Sequence, residues 1–112
     1  MNREKRRYPR VQVNRPSHIR VANGPESNAQ LIDISVGGAS LFYPEPVTDG
    51  TEVELRFHLD IGTQIKCLIY GEVRHYYARG ESHVIGVEFT HFAPDAEETV
   101  REFVRLKLET GE

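Results

Sequence analysis

The sequence predicts a mainly β protein: a six-stranded antiparallel β-barrel with a flexible basic N-terminal arm and a C-terminal α-helix. Six stretches of alternating apolar and polar residues are separated by turns rich in Gly, Pro and Asn. The apolar period becomes helical near the carboxyl end, and residues 1–10 are basic with almost no apolar content. A closed barrel is favoured because closure leaves no strand edge exposed.

The first three predicted strands cover residues 11–22, 29–35 and 39–44. Pro16 indicates an edge position or a bulge, because proline cannot donate to a strand ladder. Asn23, Gly24 and Pro25 predict a turn after the first strand. The sequence "VGG" at residues 36–38 predicts a hairpin between the other two.

The next three predicted strands cover residues 51–59, 65–76 and 83–92, with turns at 60–64 and 78–82. Gly71 indicates a β-bulge, and we expect Cys67 to lie in the core rather than to be reactive. Four residues of the fourth strand are predicted to point inward: Val53, Leu55, Phe57 and Leu59.

The carboxyl end predicts one helix that packs on the barrel or closes one of its mouths. Pro94 suits a first helical turn and Gly111 suits its end. One apolar stripe is expected along it: Val100, Phe103, Val104 and Leu108. A structural helix is favoured over one that binds a partner, and both interpretations stay open.

The charge divides the chain into a basic arm, residues 1–10, and one acidic domain, residues 11–112. Residues 1–20 hold seven Lys or Arg against one acid, whereas the other 92 hold seven against sixteen, and the whole chain carries −3. This distribution indicates a local anionic partner rather than a broad nucleic-acid surface. The alternative is a solvated tail.

The composition also bounds the class of protein. A chain of 112 residues with 38% hydrophobic residues fits one domain with a modest core. It lacks a run of 18 apolar residues and the apolar segment of a signal peptide, so we expect a cytoplasmic protein without membrane insertion. A single cysteine agrees with a reducing compartment. No catalytic triad, carboxylate pair or metal-ligand spacing stands out, so we expect neither an enzyme nor a metal site.

Two clusters carry the chemistry of a binding site. Pro9 biases the arm toward an extended backbone, in which Arg6 and Arg10 lie up to about 13 Å apart, at roughly 3.3 Å per residue. Guanidinium groups at that spacing suit two sides of a small dianion, and they also pair with phosphates and with guanine.

The second cluster is "DISVGG". Asp33 and Ser35 are two residues apart and would share one face of a strand, where a carboxylate accepts hydrogen bonds from a guanine edge. Gly37 and Gly38 would let the backbone turn sharply beside a ligand. The alternative is an ordinary glycine hairpin.

Together, the RxxxR of Arg6 and Arg10, the D-x-S-x-x-G from Asp33 to Gly38 and the strand pattern resemble the PilZ domain family. The resemblance runs from Arg6 to the final helix, and "GEVRH" and "IGVEF" look like that family's closing strands. It implies a receptor for cyclic di-GMP, a bacterial second messenger with two guanines and two phosphates.

The resemblance also implies roles for single residues. Arg6 and Arg10 would grip the phosphates and contact guanine, with Arg7 adding a further contact, while Asp33 and Ser35 would contact a guanine edge. Gly38, with Gly37, would keep the turn open for the base. Two other residues would lie near the ligand: His75, where many relatives carry tryptophan, and Gly86. A surface position for His75 and a structural role for Gly86 are the alternatives.

Lys5 occupies the place where some relatives carry a basic residue and bind two stacked ligand molecules, so one or two cyclic di-GMP molecules per chain are expected. The expected mechanism is that the ligand orders the arm and thereby alters a surface that an unidentified downstream protein binds. A scaffold that does not bind nucleotide and a barrel that binds single-stranded nucleic acid are the alternatives. The acidic domain argues against the latter.

Overall fold

The computed structural model describes residues 8–110. They form six strands and one helix, whose bounds are: β1, Val11–Val21; β2, Glu26–Ile34; β3, Gly38–Tyr43; β4, Glu52–Asp60; β5, Gln64–Arg79; β6, Ser82–Phe92; and α1, Ala96–Glu109. All six predicted strands and the helix are confirmed, with bounds that differ by a few residues.

The strands form a closed antiparallel barrel in the order β1-β2-β3-β6-β5-β4. Strands that are neighbours in sequence pair with each other except β3 and β4. Instead β3 pairs with β6, and β4 pairs with β1 at the seam where the barrel closes. The predicted inward residues of β4 are all buried, and each of the other strands also contributes buried apolar residues to the core. The six-stranded barrel expected from the alternation is therefore confirmed.

The β1–β4 seam is short, because pairing covers only His18 to Val21 on β1 and Val53 to Arg56 on β4. The first half of β1 pairs with β2 alone and contains an irregularity between Gln12 and Arg15. Pro16 lies in this half, so its missing donor costs no hydrogen bond to β4. Of the two positions expected for Pro16, the edge position is confirmed, whereas the irregularity precedes Arg15 and Pro16 itself pairs regularly with Gln30.

Strand β5 contains two irregularities, at Tyr70–Gly71 and at Val73–His75. The first confirms the bulge predicted from Gly71. A methyl group on Gly71 would overlap the Glu88 carbonyl oxygen and lie 2.6 Å from a Val87 methyl, so only glycine fits. The turn predicted at residues 78–82 is shorter than expected: β5 and β6 are joined by residues 80–81 alone, with Gly80 at φ 61°.

Helix α1 packs its apolar face against the barrel, but two details of the prediction are wrong. The helix begins at Ala96, after Asp95 in a left-handed conformation, so Pro94 precedes the first turn instead of forming it. Val100, Phe103 and Val104 are buried, whereas Leu108 is 48% exposed. Since residues 104 and 108 share a helix face, the surface that the helix covers ends one turn earlier than the apolar stripe. Gly111 lies outside the described residues.

Within residues 8–110 no helix has the length and apolar character needed to cross a membrane.

Cys67 is fully buried on the inward face of β5, as predicted. Burial raises the pKa of its thiol to about 11, because the thiolate would lose its hydration. We expect iodoacetamide at mildly alkaline pH to leave the folded protein unmodified and to alkylate it rapidly in denaturant, since the thiolate is the nucleophile. Mass spectrometry provides the measurement, and rapid alkylation of the folded protein would place Cys67 outside the core.

Candidate functional site

A cleft of about 510 Å³ lies on the outer face of the barrel, where β3, β6 and the second half of β5 meet the start of β1. Its lining combines cationic, aromatic and glycine residues, the set suited to an anionic ligand with flat rings. The lining residues are Tyr8, Arg10, Ser35, Gly37, Gly38, Ser40, Arg74, His75, Tyr77, Val84, Gly86, Val87 and Glu88.

Arg10 is held at one end of the cleft by Asp33. Its Nη1 donates to Asp33 Oδ1 at 2.8 Å and to Ser40 Oγ at 3.4 Å. Its Nε is buried and has no hydrogen-bond partner among the described residues. A buried donor without a partner is costly, whereas the Arg10 side chain as a whole is 24% exposed and lines the cleft.

Ser35 closes the turn between β2 and β3. Its hydroxyl oxygen accepts hydrogen bonds from the backbone N–H groups of Gly37 and Gly38, at 3.1 and 3.2 Å. The expectation that Ser35 and Asp33 share a strand face is wrong, because β2 ends at Ile34 and Ser35 belongs to the turn. Ser35 lines the cleft but is 4% exposed, and its hydroxyl is engaged by the backbone.

The two glycines of this turn have different surroundings. A methyl group on Gly37 would lie 3.0 Å from the Tyr8 ring, so the end of the arm packs against the turn. A methyl group on Gly38 would overlap the carbonyl oxygen of Val87 in the neighbouring strand. Close approach of β3 to β6 therefore accounts for Gly38, in addition to any room that it leaves for a ligand.

We expect Gly38→Ala to lower the free energy of unfolding by about 1–3 kcal/mol, since the new methyl group forces β3 away from β6. Gly37→Ala is the matched control, because the Tyr8 ring that it meets is a side chain that can move. Urea denaturation of both variants measures the difference. Equal stabilities would remove the packing explanation for Gly38.

The second irregularity of β5 determines which of its side chains enter the cleft. Val73 is buried in the barrel, and uninterrupted alternation would direct His75 and Tyr77 inward as well. The extra residue between Val73 and His75 reverses the phase, so that His75 pairs with Gly86 and Tyr77 pairs with Val84 on the outer face. His75 thus lines the cleft, and Tyr77, at 53% exposure, is a second ring beside it.

Gly86 faces His75 directly, since a methyl group there would lie 3.3 Å from the imidazole Cδ2. Gly86 therefore leaves space for the His75 ring, and both residues line the cleft.

Arg74 is a lining residue that the sequence analysis missed. Its Nε donates to Glu88 Oε1 at 2.7 Å, and its Nη2 lies 3.2 Å from Glu72. The hydrogen bond to Glu88 and the nearby negative charge raise the pKa of Arg74. Two acids partly neutralise this cation, which distinguishes it from Arg10 with its unpartnered Nε.

The structure brings together six of the ten predicted site residues in one lining, namely Arg10, Ser35, Gly37, Gly38, His75 and Gly86. Asp33 lies behind Arg10 and contacts it directly. Lys5, Arg6 and Arg7 lie outside the described residues. Tyr8, Ser40, Arg74 and Tyr77 were missed, although two signals existed: Tyr8 lies within the arginine motif, and Arg74 and Tyr77 flank His75.

Residues 8–110 contain no group of three or more His, Cys, Asp or Glu side chains placed to hold a metal ion.

Solved structures share this fold at low sequence identity. The inhibitor of motility MotI/DgrA from Bacillus subtilis matches with a TM-score of 0.79 and 17% identity, over 97% of this chain and 54% of that one. The PilZ domain of YcgR from Escherichia coli, solved with c-di-GMP, matches with a TM-score of 0.73 and 13% identity, over 96% and 95%. MrkH from K. pneumonia, in complex with c-di-GMP, gives 0.65 and 19%, over 96% and 55%.

This chain thus spans about half the length of the MotI/DgrA and MrkH chains. No curated protein sequence matches it significantly. The PilZ domain family model matches residues 4–106, which covers the arginine motif, the whole barrel and most of α1. The chain therefore belongs to the PilZ domain family.

Proposed function

We propose that this chain is a receptor module for cyclic di-GMP and that the ligand binds in the cleft beside Arg10. The observation that carries the proposal is the Arg10 guanidinium, which Asp33 holds at the end of a cleft lined by aromatic and glycine residues. Family membership supports it, as do the YcgR and MrkH structures, which contain c-di-GMP.

The phosphates would bind the arginines of the motif. Arg10 would keep its Nη1 on Asp33 while a phosphate oxygen binds the part of its side chain that the cleft exposes, 24% of the whole. Arg6 would grip the other side of the ligand and Arg7 would add a phosphate or base contact.

The guanines would contact two parts of the cleft, the end at Arg10 and the wall formed by β5 and β6. Asp33 would share its carboxylate between Arg10 and the N–H groups of a guanine edge, with Ser35 and Gly38 shaping the turn beside it. His75 and Tyr77 offer two aromatic rings on one face of β5, and stacking on such rings suits a purine. Gly86 keeps that wall flat.

Ligand binding would order the arm, residues 1–10. Tyr8 already packs against Gly37, so a ligand that binds Arg6 and Arg10 would draw the arm across the cleft. The altered surface would then be bound by a downstream protein. We place this signalling in the cytoplasm, without nucleic acid, cofactor or catalysis, and with one or two ligand molecules per chain depending on Lys5.

Isothermal titration calorimetry with cyclic di-GMP tests the proposal, and it reports stoichiometry and affinity together. We expect binding with saturating heat, with poor displacement by a short oligothymidylate. Absence of heat would favour a scaffold that does not bind nucleotide. Free displacement by the oligonucleotide would favour a nucleic-acid-binding barrel, and production of the linear dinucleotide would indicate an enzyme.

A further inference from the structure

A second cleft of about 400 Å³ lies at the β1–β4 seam, and it shares no lining residue with the first. We call it the seam groove. It forms where β1 and β4 stop pairing beyond His18 and Arg56. Its lining comes from β1, β2, β4 and β5: Arg15, Pro16, His18, Glu26, Arg56, Phe57, His58, Gln64 and Lys66.

The seam groove collects cations in a domain that is otherwise acidic. Four Lys or Arg side chains of residues 8–110 make no ion pair with another described residue, and two of these, Arg15 and Lys66, line the groove; the others are Arg79 and Lys107. Two of the acids nearby already contact basic side chains, and a third, Asp60, accepts a hydrogen bond from the Gly62 backbone N–H. Glu26 contacts His18 at 3.3 Å, and Glu54 contacts Arg56 at 2.9 Å.

Basic groups also face each other directly across strands here. His18 pairs with Arg56 across the seam, and His58 pairs with Lys66 across β4 and β5. Side chains in such positions lie about 5 Å apart at Cβ, so neither Arg56 nor Lys66 faces a carboxylate across these strand pairs. One step further along the seam, Arg20 instead lies 3.7 Å from Glu54. A carboxylate from a binding partner would pair with the cations of the groove as Glu54 pairs with Arg20.

The groove also leaves a strand edge without a partner. β4 pairs with β5 along its whole length, but among the described strands residues 57–60 of β4 have no partner on the seam side. The facing part of β1 contains Pro16, which removes a backbone donor, so β4 provides the better edge. No residue of α1 lines the groove. An extended peptide added to such an edge gains main-chain hydrogen bonds.

We propose that the seam groove binds an extended acidic segment of a partner protein, which adds as a short strand beside residues 57–60 of β4 while its carboxylates meet Arg15 and Lys66. Charge complementarity selects an acidic occupant, and the open strand edge selects a peptide over a phosphate. This assigns a chemistry to the partner that the proposed function requires.

Fluorescence anisotropy of the whole chain with a labelled peptide of alternating Glu and Val tests the proposal. It is run without cyclic di-GMP, so that the groove and the nucleotide cleft can fail separately. We expect the peptide to bind, and Arg15→Glu or Lys66→Glu to weaken it by about fivefold or more, the loss expected for an exposed charge contact that is reversed. Arg79→Glu is the matched control, because it changes the net charge equally at an unpaired cation outside the groove.

Two further probes define the mode of binding. A peptide with Gln in place of Glu, and one with proline at alternate positions, should both bind weakly, because the first lacks charge and the second lacks backbone donors. NMR shifts should concentrate on the amides of residues 57–60. Equal weakening by Lys66→Glu and Arg79→Glu, undiminished binding of the proline peptide, no binding of the Glu–Val peptide, or its displacement by oligothymidylate at equal charge would each overturn the proposal.

Discussion

Arg10→Ala is expected to weaken cyclic di-GMP binding by at least tenfold and up to about a hundredfold, the loss that follows from removing charge-assisted hydrogen bonds. The stability of the ligand-free protein should change little. The Arg10–Asp33 pair is partly exposed, at 24% and 22% of the two side chains, and pairs near the surface contribute about 1 kcal/mol or less. Calorimetric titration and thermal unfolding of the same preparation measure both effects.

Arg10→Lys is the matched control, because it keeps the charge but loses the planar fork that holds Asp33 and the ligand together. It should recover only part of the affinity. Arg6→Ala should resemble Arg10→Ala, and affinity should fall as salt is added. Normal binding by either alanine variant would refute the role of the arginine pair.

Asp33→Ala is expected to weaken cyclic di-GMP binding and to reduce the preference over cyclic di-AMP, because the guanine edge loses its acceptor. The structure gives a second reason for the weaker binding, or second route, because Asp33 also holds Arg10 in place at 2.8 Å. Competition titrations with the two dinucleotides measure the preference. A wild-type protein that binds both equally would contradict the guanine role.

A double-mutant cycle separates the two routes. If Asp33 acted only by positioning Arg10, adding Asp33→Ala to Arg10→Ala would cost no further affinity. If Asp33 also contacts guanine, as we propose, the double variant should bind more weakly than Arg10→Ala alone and should lose the remaining preference for guanine.

Much of the fold followed from periodicity, and the errors share a cause. The alternation in β4 predicted its buried residues correctly, because that strand pairs with β5 without interruption. Ser35 was assigned to a strand and Leu108 to the core because local patterns report the period of an element, whereas its bounds depend on what it packs against. Leu108 is exposed because the barrel surface under the helix ends one turn earlier, and the sequence of the helix does not contain that information.

The candidate site was predictable where a motif lies in one segment. Arg10, Asp33 and the turn at residues 35–38 come from such motifs, and the structure brings them together. Tyr77 could not be assigned, because the irregularity beside Arg74 reverses the phase of β5. Counted by period two from the buried Val73, Tyr77 would point into the barrel.

The sequence by itself determined the six strands, the helix, the basic arm and the chemistry of the residues available for a ligand, since these depend on local period and charge. Only the tertiary structure decided that Asp33 holds Arg10 at the cleft, that Tyr77 faces outward, and that β1 and β4 separate into a basic groove. Each of these depends on register between strands distant in the chain, and a shift of one residue would turn the side chains to the other face.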